Sequence, residues 1–355
     1  MPDRPGRPGE TVTRTGAVGA GDSHPDPGPG LLPGAQDPGL EAAVRRRLEA
    51  VEEGLLVAAQ ANTALVTEAA QHIIRSGGKR FRPMLVATAA ELGDRVDEDA
   101  LLVAAQVVEL THVASLYHDD VMDEAEIRRG APSANQRWQN SIAILVGDYL
   151  FARASDLISA LGPRWVQLQA RTFARLVQGQ IAETVGPEPG ADPLAHHLAV
   201  LADKTGSLIA TSAVFGGLTA GLGEQQLDAL AAYGEEVGLV FQLSDDLIDI
   251  TSDVTGKEPG TDLRAGVPTL PTLMLARSER AEDVDLTQAV QSDLSDPARL
   301  AEVLGRLRAH PVIEEAREVI RAHARTALRH LDVLPDVPAR QALAAVATQL
   351  VDRVS

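Results

Sequence analysis

The 355-residue chain contains no cysteine. That excludes disulfides, thiolate metal sites and a cysteine nucleophile. Aromatic residues make up only 3% of it, so the core must be aliphatic. Abundant Ala and Leu, both strong helix formers, make helix the default. Basic residues are outnumbered, 32 Lys and Arg against 50 Asp and Glu, for a net charge of −18. A surface that acidic repels nucleic acid, which argues against a broad phosphate-tracking groove. A phosphorylated ligand would need cations gathered locally or carried by metal ions. No uninterrupted apolar run reaches the roughly 18 residues needed to cross a bilayer. The N-terminus also lacks the three-part pattern of a signal peptide. A cytoplasmic protein is expected.

Residues 1–38 hold eight prolines and many glycines without apolar periodicity. Such a segment cannot bury enough surface to offset its ordering entropy, and a disordered tail is expected there. A single domain is expected over 39–355. From Leu40 onward the apolar spacing is helical. It predicts helices over roughly 40–76, 81–93, 97–125, 133–161, 163–185, 194–222, 224–251, 268–278, 297–309 and 311–353. Glycine and proline mark the breaks. No strand pattern and no fixed-period repeat is evident. The expected fold is all-α: one large bundle of about ten or more helices around a central cavity.

Two segments carry chemistry. Asp119-Asp120-Val121-Met122-Asp123 and Asp245-Asp246-Leu247-Ile248-Asp249 share the pattern Asp-Asp-x-x-Asp within apolar surroundings. Positions i and i+4 lie one turn apart on a helix face, so Asp119 projects beside Asp123, and Asp245 beside Asp249. Like charges so placed repel, and burying them uncompensated costs more still. A hard divalent cation such as Mg²⁺ removes the conflict, since it takes oxygen ligands and bridges carboxylates to substrate phosphates. A solvated acidic face would explain one such motif. Two copies, both flanked by apolar residues, point to a metal-diphosphate centre.

Cations complete the pattern. Gly77-Gly78-Lys79-Arg80-Phe81-Arg82-Pro83 sets three after a glycine pair; Arg128 and Arg129 follow the first acidic motif. Lys204-Thr205-Gly206 and Gly256-Lys257 add two more. Alone, each is an ordinary surface charge; together they supply two sets of diphosphate ligands.

With Glu109-Leu-Thr-His112, Arg128-Arg129-Gly130, Gly179-Gln180 and Gln242 in order around the acidic pairs, the chain resembles the trans-isoprenyl diphosphate synthases over about residues 40–353. The resemblance implies a Mg²⁺-dependent prenyltransferase, working as a homodimer, that condenses isopentenyl diphosphate with an allylic diphosphate. Asp119, Asp123 and Asp245 would hold Mg²⁺, with Asp120, Asp246 and Asp249 completing the acidic centre. Arg128, Lys204, Thr205, Gln242 and Lys257 would grip the allylic diphosphate; Lys79, Arg82, His112 and Arg129 would bind isopentenyl diphosphate.

Two departures stand out. Gly266-Val267-Pro268-Thr269 has Val267 where many relatives carry lysine, and the chain ends Val351-Asp-Arg-Val-Ser355 rather than in a basic tail. A terpene cyclase of the same fold would pair one Asp-rich motif with one of Asn, Ser and Glu. A non-catalytic partner subunit would lack the acidic motifs. Neither matches.

Product length is the remaining expectation. Short-chain relatives place a bulky aromatic about five residues before the first acidic motif. Here Ala114 and Ser115 stand there, about 7.5 Å down the helix from Asp119, which implies an open path and a long product of about C30–C45. A geranylgeranyl or other short-chain product is the alternative. Leu150 or Phe151 would set the floor. So insoluble a product would be released at a membrane surface or onto a downstream enzyme.

Overall fold

The computed structural model describes residues 37–251 and 259–354. Apart from its last two residues, the expected tail lies outside that range, as does Lys257. The chain winds through α1 (Pro38–Ala58), α2 (Ala64–Arg75), α3 (Phe81–Ala90) and α4 (Glu98–Met122). A short hairpin, β1 (Ile127–Arg128) and β2 (Ala131–Pro132), precedes α5 (Ala134–Ser159), α6 (Pro163–Val185) and α7 (Pro193–Leu201). A π-turn, Ala202–Gly206, joins α7 to α8 (Ser207–Thr219). Then come α9 (Glu224–Thr251), α10 (Thr261–Ala265), α11 (Leu270–Ala276), α12 (Val284–Val290), α13 (Pro297–Arg308), α14 (Val312–His330) and α15 (Pro338–Asp352).

The all-α expectation holds, with local corrections. The span 40–76 is two helices, because the Thr63 side chain caps α2 by accepting from Val66 N and a capping residue adopts extended backbone. The span 311–353 likewise divides at residues 331–337, where Pro338 can open a helix but not sit inside one. The hairpin had no periodic signal. It turns on Arg129 and Gly130, both at positive φ, the combination a two-residue hairpin turn requires.

Helix α8 is buried almost along its whole length and forms the centre of the bundle. It packs on α3, α4, α6 and α9. One apolar cluster gathers around α9, α14 and α15, a second around α2, α4 and α5, and α8 contributes to both. Helix α4 and the run Pro193–Thr219 are long and apolar enough to span a membrane by length and composition. However, 78% and 72% of their apolar windows are buried inside the protein, which makes them core helices.

Candidate active site

Both acidic motifs lie at helix C-terminal ends: Asp119–Asp123 closes α4 and Asp245–Asp249 approaches the end of α9. The π-turn joins them. Gly206 and Gly238 meet so closely that a Cβ on Gly238 would sit 2.5 Å from Gly206 Cα. The turn is thereby seated on α9, two helical turns before Asp245. From it Lys204 reaches Glu183 on α6 and lies electrostatically beside Asp119 and Asp123. A π-bulge at such a point is a common device for aiming one side chain. Arg175 fastens the turn: its Nε donates to Asp203 at 2.7 Å, and its guanidinium also grips Glu235 on α9.

The first motif divides its work. Asp120 is fully buried, and its Oδ1 accepts from Arg128 Nε and Nη2 at 2.7 and 2.6 Å. Its Oδ2 is buried with no hydrogen-bond partner. Among the described residues, the side chains of Asp119 and Asp123 accept no hydrogen bond. Burial pushes the Asp119 carboxyl up to about 6, with Lys204 opposing and Asp123 reinforcing the rise. Burial also raises Asp123, again against Lys204. Two adjacent carboxylates thus pay a desolvation cost that a cation would relieve.

In the second motif, Asp245 Oδ1 accepts from Arg353 Nη2 at 2.9 Å. Asp246 faces another way, with Oδ2 2.9 Å from both His197 Nε2 and Leu270 N. It ties α7 and α11 to α9. Asp249 accepts from the backbone N–H groups of Thr261 and Asp262 at 3.1 and 3.2 Å. Gln242 is half-buried, three residues before Asp245. Thr205 is buried in the π-turn.

The loop before α3 supplies the other cations. Phe81 stacks on Phe241, ring centroids 5.5 Å apart, one turn before Asp245. This seats the start of α3 on α9, while Arg82 lies electrostatically beside Glu109 on α4. Arg80 turns inward: Nη1 donates to Glu109 at 2.8 Å, Nε and Nη2 to Glu52 at 2.6 and 2.7 Å, and Nη2 to Ile74 O at 2.8 Å. Arg129 donates to the carbonyls of Gly77 and Ile73. Its guanidinium occupies the place of a side chain on Gly78, where a Cβ would meet Cζ at 2.9 Å. Burial opposes charge on Glu109, yet His112, Arg80, Arg129 and Arg82 together hold its carboxyl below the ordinary range. Arg80, Glu124 and Arg129 all have positive φ, backbone strain that clusters at functional sites.

The donor set suits Mg²⁺: every candidate ligand is a carboxylate oxygen. Among the described residues no three acidic or imidazole side chains converge into a closed cage. Mg²⁺ commonly takes one or two protein carboxylates and completes its shell from substrate phosphates and water. Glu109, Glu183, Arg175, His197 and Arg353 complete the site. Their spacing carries no sequence signal for these partners, although Glu109 opens one of the motifs above. Phe151 packs on His118 and Phe173, with centroids 5.6 and 4.3 Å apart.

Comparison with known proteins finds relatives over most of the chain. The sequence pattern of the family described as polyprenyl synthetase matches residues 63–307. Nonaprenyl diphosphate synthase of Mycobacterium tuberculosis is 43% identical over 314 residues, covering 88% of this chain and 94% of the relative. Dimethylallyltranstransferase of the same organism is 40% identical over 77% of this chain and 83% of its own length. Among solved structures, geranylgeranyl pyrophosphate synthase of Corynebacterium glutamicum, complexed with calcium and isoprenyl diphosphate, superposes with a TM-score of 0.83 at 41% identity. It covers 90% of this chain and 99% of that one.

Proposed function

The chain belongs to the polyprenyl synthetase family and is a trans-prenyltransferase, and on that premise we propose that it extends an allylic diphosphate with isopentenyl diphosphate to a long all-trans product of about C30–C45, its open path starting some 7.5 Å below Asp119. The observation that carries the assignment is the half-buried pair Asp119 and Asp123 beside Lys204, whose π-turn is seated on α9 two turns before Asp245. Asp119, Asp123 and Asp245 would hold Mg²⁺. Bound there, Mg²⁺ supplies positive charge that lowers the cost of the leaving diphosphate.

The chain's own residues do the rest. Lys204, Thr205, Gln242 and Lys257 grip the allylic diphosphate; Arg128, bonded to Asp120, keeps that carboxylate in place behind them. Lys79, Arg82, His112 and Arg129 orient isopentenyl diphosphate. As the allylic carbon–oxygen bond breaks, Lys204 neutralises the departing oxygen atoms. The double bond of isopentenyl diphosphate attacks the allylic carbon, a new carbon–carbon bond forms, and a proton passes to the released diphosphate. No protein nucleophile is required; holding the two substrates together supplies much of the rate. The small Ala114 and Ser115, and the nonaprenyl synthase among the relatives, support a long product.

We also place this chain in a homodimer in the cytoplasm. Leu145 on α5 and Ile181 on α6 are 61% and 57% exposed, and Ile144 and Val177 beside them are also exposed. Exposed aliphatic side chains on two neighbouring helices suit a covering surface. Product release at a membrane surface or to a following enzyme accounts for the insolubility of the product. Incubation with labelled isopentenyl diphosphate and each allylic primer, then sizing of the dephosphorylated products, tests the assignment. Mg²⁺-dependent extension to at least six isoprene units is expected; no incorporation with any primer overturns it.

A further inference from the structure

Three residues on one face of α6 hold the π-turn that carries Lys204. Arg175, Gly179 and Glu183 stand at i, i+4 and i+8, so they line up along the helix about 6 Å apart. Each meets a different part of the turn. Arg175 Nε donates to Asp203 Oδ1 at 2.7 Å, and its Nη2 to Ala202 O at 3.3 Å. Gly179 lets the two backbones close: a Cβ there would lie 2.6 Å from Lys204 N. Glu183 accepts from Lys204 Nζ. Arg175 also reaches past the turn to α9, where Nη1 and Nη2 donate to the two carboxylate oxygens of Glu235. Glu235 Oε2 lies against Gly206, the last residue of the turn.

Arg175 is 40% exposed, and its partners Asp203 and Glu235 are 36% and 29% exposed. Ion pairs so open to water add little stability. A guanidinium forked over one carboxylate and anchored on a second supplies fixed geometry instead. Geometry matters at this point. Successive residues of a helix point about 100° apart. Slipping of the turn by one residue toward a regular α-helix would carry the Lys204 ammonium away from Asp119 and Asp123, beside which it lies. Gly238 backs the last residue of the turn; Arg175 secures the first two, Ala202 and Asp203.

We infer that Arg175, with Glu235 as its anchor, is a positioning residue for Lys204: it fixes the register of the π-turn and so aims the ammonium at the diphosphate of the allylic substrate. Arg175 acts through Lys204 and not on the substrate itself. The clamp also occupies Asp203, next in the chain to Lys204, so that this carboxylate does not draw the ammonium aside. The inference rests on the prenyl-transfer reading. Absence of turnover in wild type refutes that reading, whereas wild-type kinetics in the folded variants refute the clamp alone.

The test measures initial rates of the first condensation with each substrate varied in turn. It uses Arg175→Met, Asp203→Ala, Lys204→Ala and the two pairwise combinations with Lys204→Ala; circular dichroism and thermal melts check the fold. Arg175→Met should raise KM for the allylic diphosphate about fivefold, part of the roughly tenfold expected on losing Lys204 itself, and leave KM for isopentenyl diphosphate within about twofold. In the Lys204→Ala background the same substitution should change the allylic KM by less than about twofold, because the side chain it aims is gone. A clamp that merely stabilised the fold would act equally in both backgrounds. Asp203→Ala should repeat the pattern, and it carries the test if Arg175→Met does not fold. An unchanged allylic KM in either folded variant, equal rises for both substrates, or an undiminished effect in the Lys204→Ala background overturns the proposal.

Discussion

Replacing Arg80 by Met tests the most heavily bonded cation around the site. Arg80 and Glu109 are 8% and 2% exposed, and the guanidinium also serves Glu52 and the carbonyl of Ile74. Glu52 is 44% exposed and can be rehydrated, so its share of the loss is about 0–1 kcal/mol. Glu109 cannot, and stripping one partner from a buried ion pair costs about 3–5 kcal/mol. Arg129, 3.8 Å from Glu109, compensates in part, which places the expectation near 3 kcal/mol. For a folded unit of roughly 310 residues, at about 2.1 cal/mol/K per residue, that lowers Tm by roughly 5 °C. The pH dependence has a definite sign. Glu109's folded pKa is depressed, so its stabilisation is present above the unfolded value and is lost as pH falls through the folded one. The gap between wild type and Arg80→Met should therefore narrow in acid, below about pH 4. Urea denaturation across pH, with Glu109→Gln and the double variant, completes the cycle. Coupling of at least about 2 kcal/mol is expected. A loss under about 1 kcal/mol at pH 7, or an equal loss in the Glu109→Gln background, would show that Arg80 does not serve to neutralise Glu109.

Four further outcomes are expected. With Mg²⁺ present Asp119→Asn should abolish turnover, yet in chelator-treated protein it should stabilise the fold by about 1–3 kcal/mol at pH 8. A carboxyl raised to about 6 destabilises the folded state as pH rises from the unfolded value to the folded one, so the gain should vanish below about pH 4; no gain at pH 8 contradicts the buried-charge reading. Ala114→Phe should shorten the product while keeping turnover of the first condensation; unchanged length means that the tail does not pass Ala114. Arg82→Ala should chiefly raise KM for isopentenyl diphosphate and Lys204→Ala KM for the allylic substrate, each about tenfold for a lost charge-assisted bond; equal effects on both substrates refute the two-set assignment. Arg353→Gln removes a cationic partner of Asp245 and should tighten metal binding several-fold in a calorimetric titration without substrate. Unchanged affinity would show that the pair does not compete with metal.

Much of this protein was written in short-range spacing. A helix repeats every 3.6 residues, so apolar periodicity from Leu40 onward specifies an all-α bundle. The same geometry sets Asp119 beside Asp123 and Asp245 beside Asp249 before any fold is known. What spacing cannot encode is which of several similar charges meet across the bundle. Lys79, Arg80 and Arg82 look equivalent in sequence, and nothing in their spacing tells that Arg80 bonds to Glu52 and Glu109, 28 and 29 residues away. The six motif aspartates likewise differ only in three dimensions. Asp120 turns to Arg128 and Asp246 to His197 and Leu270, while Asp119 and Asp123 face Lys204. Arg353, just past α15, reaches Asp245, 108 residues away. Packing decides these partners, because burial in a low dielectric makes each charge depend on whichever opposite charge the folded helices deliver to it.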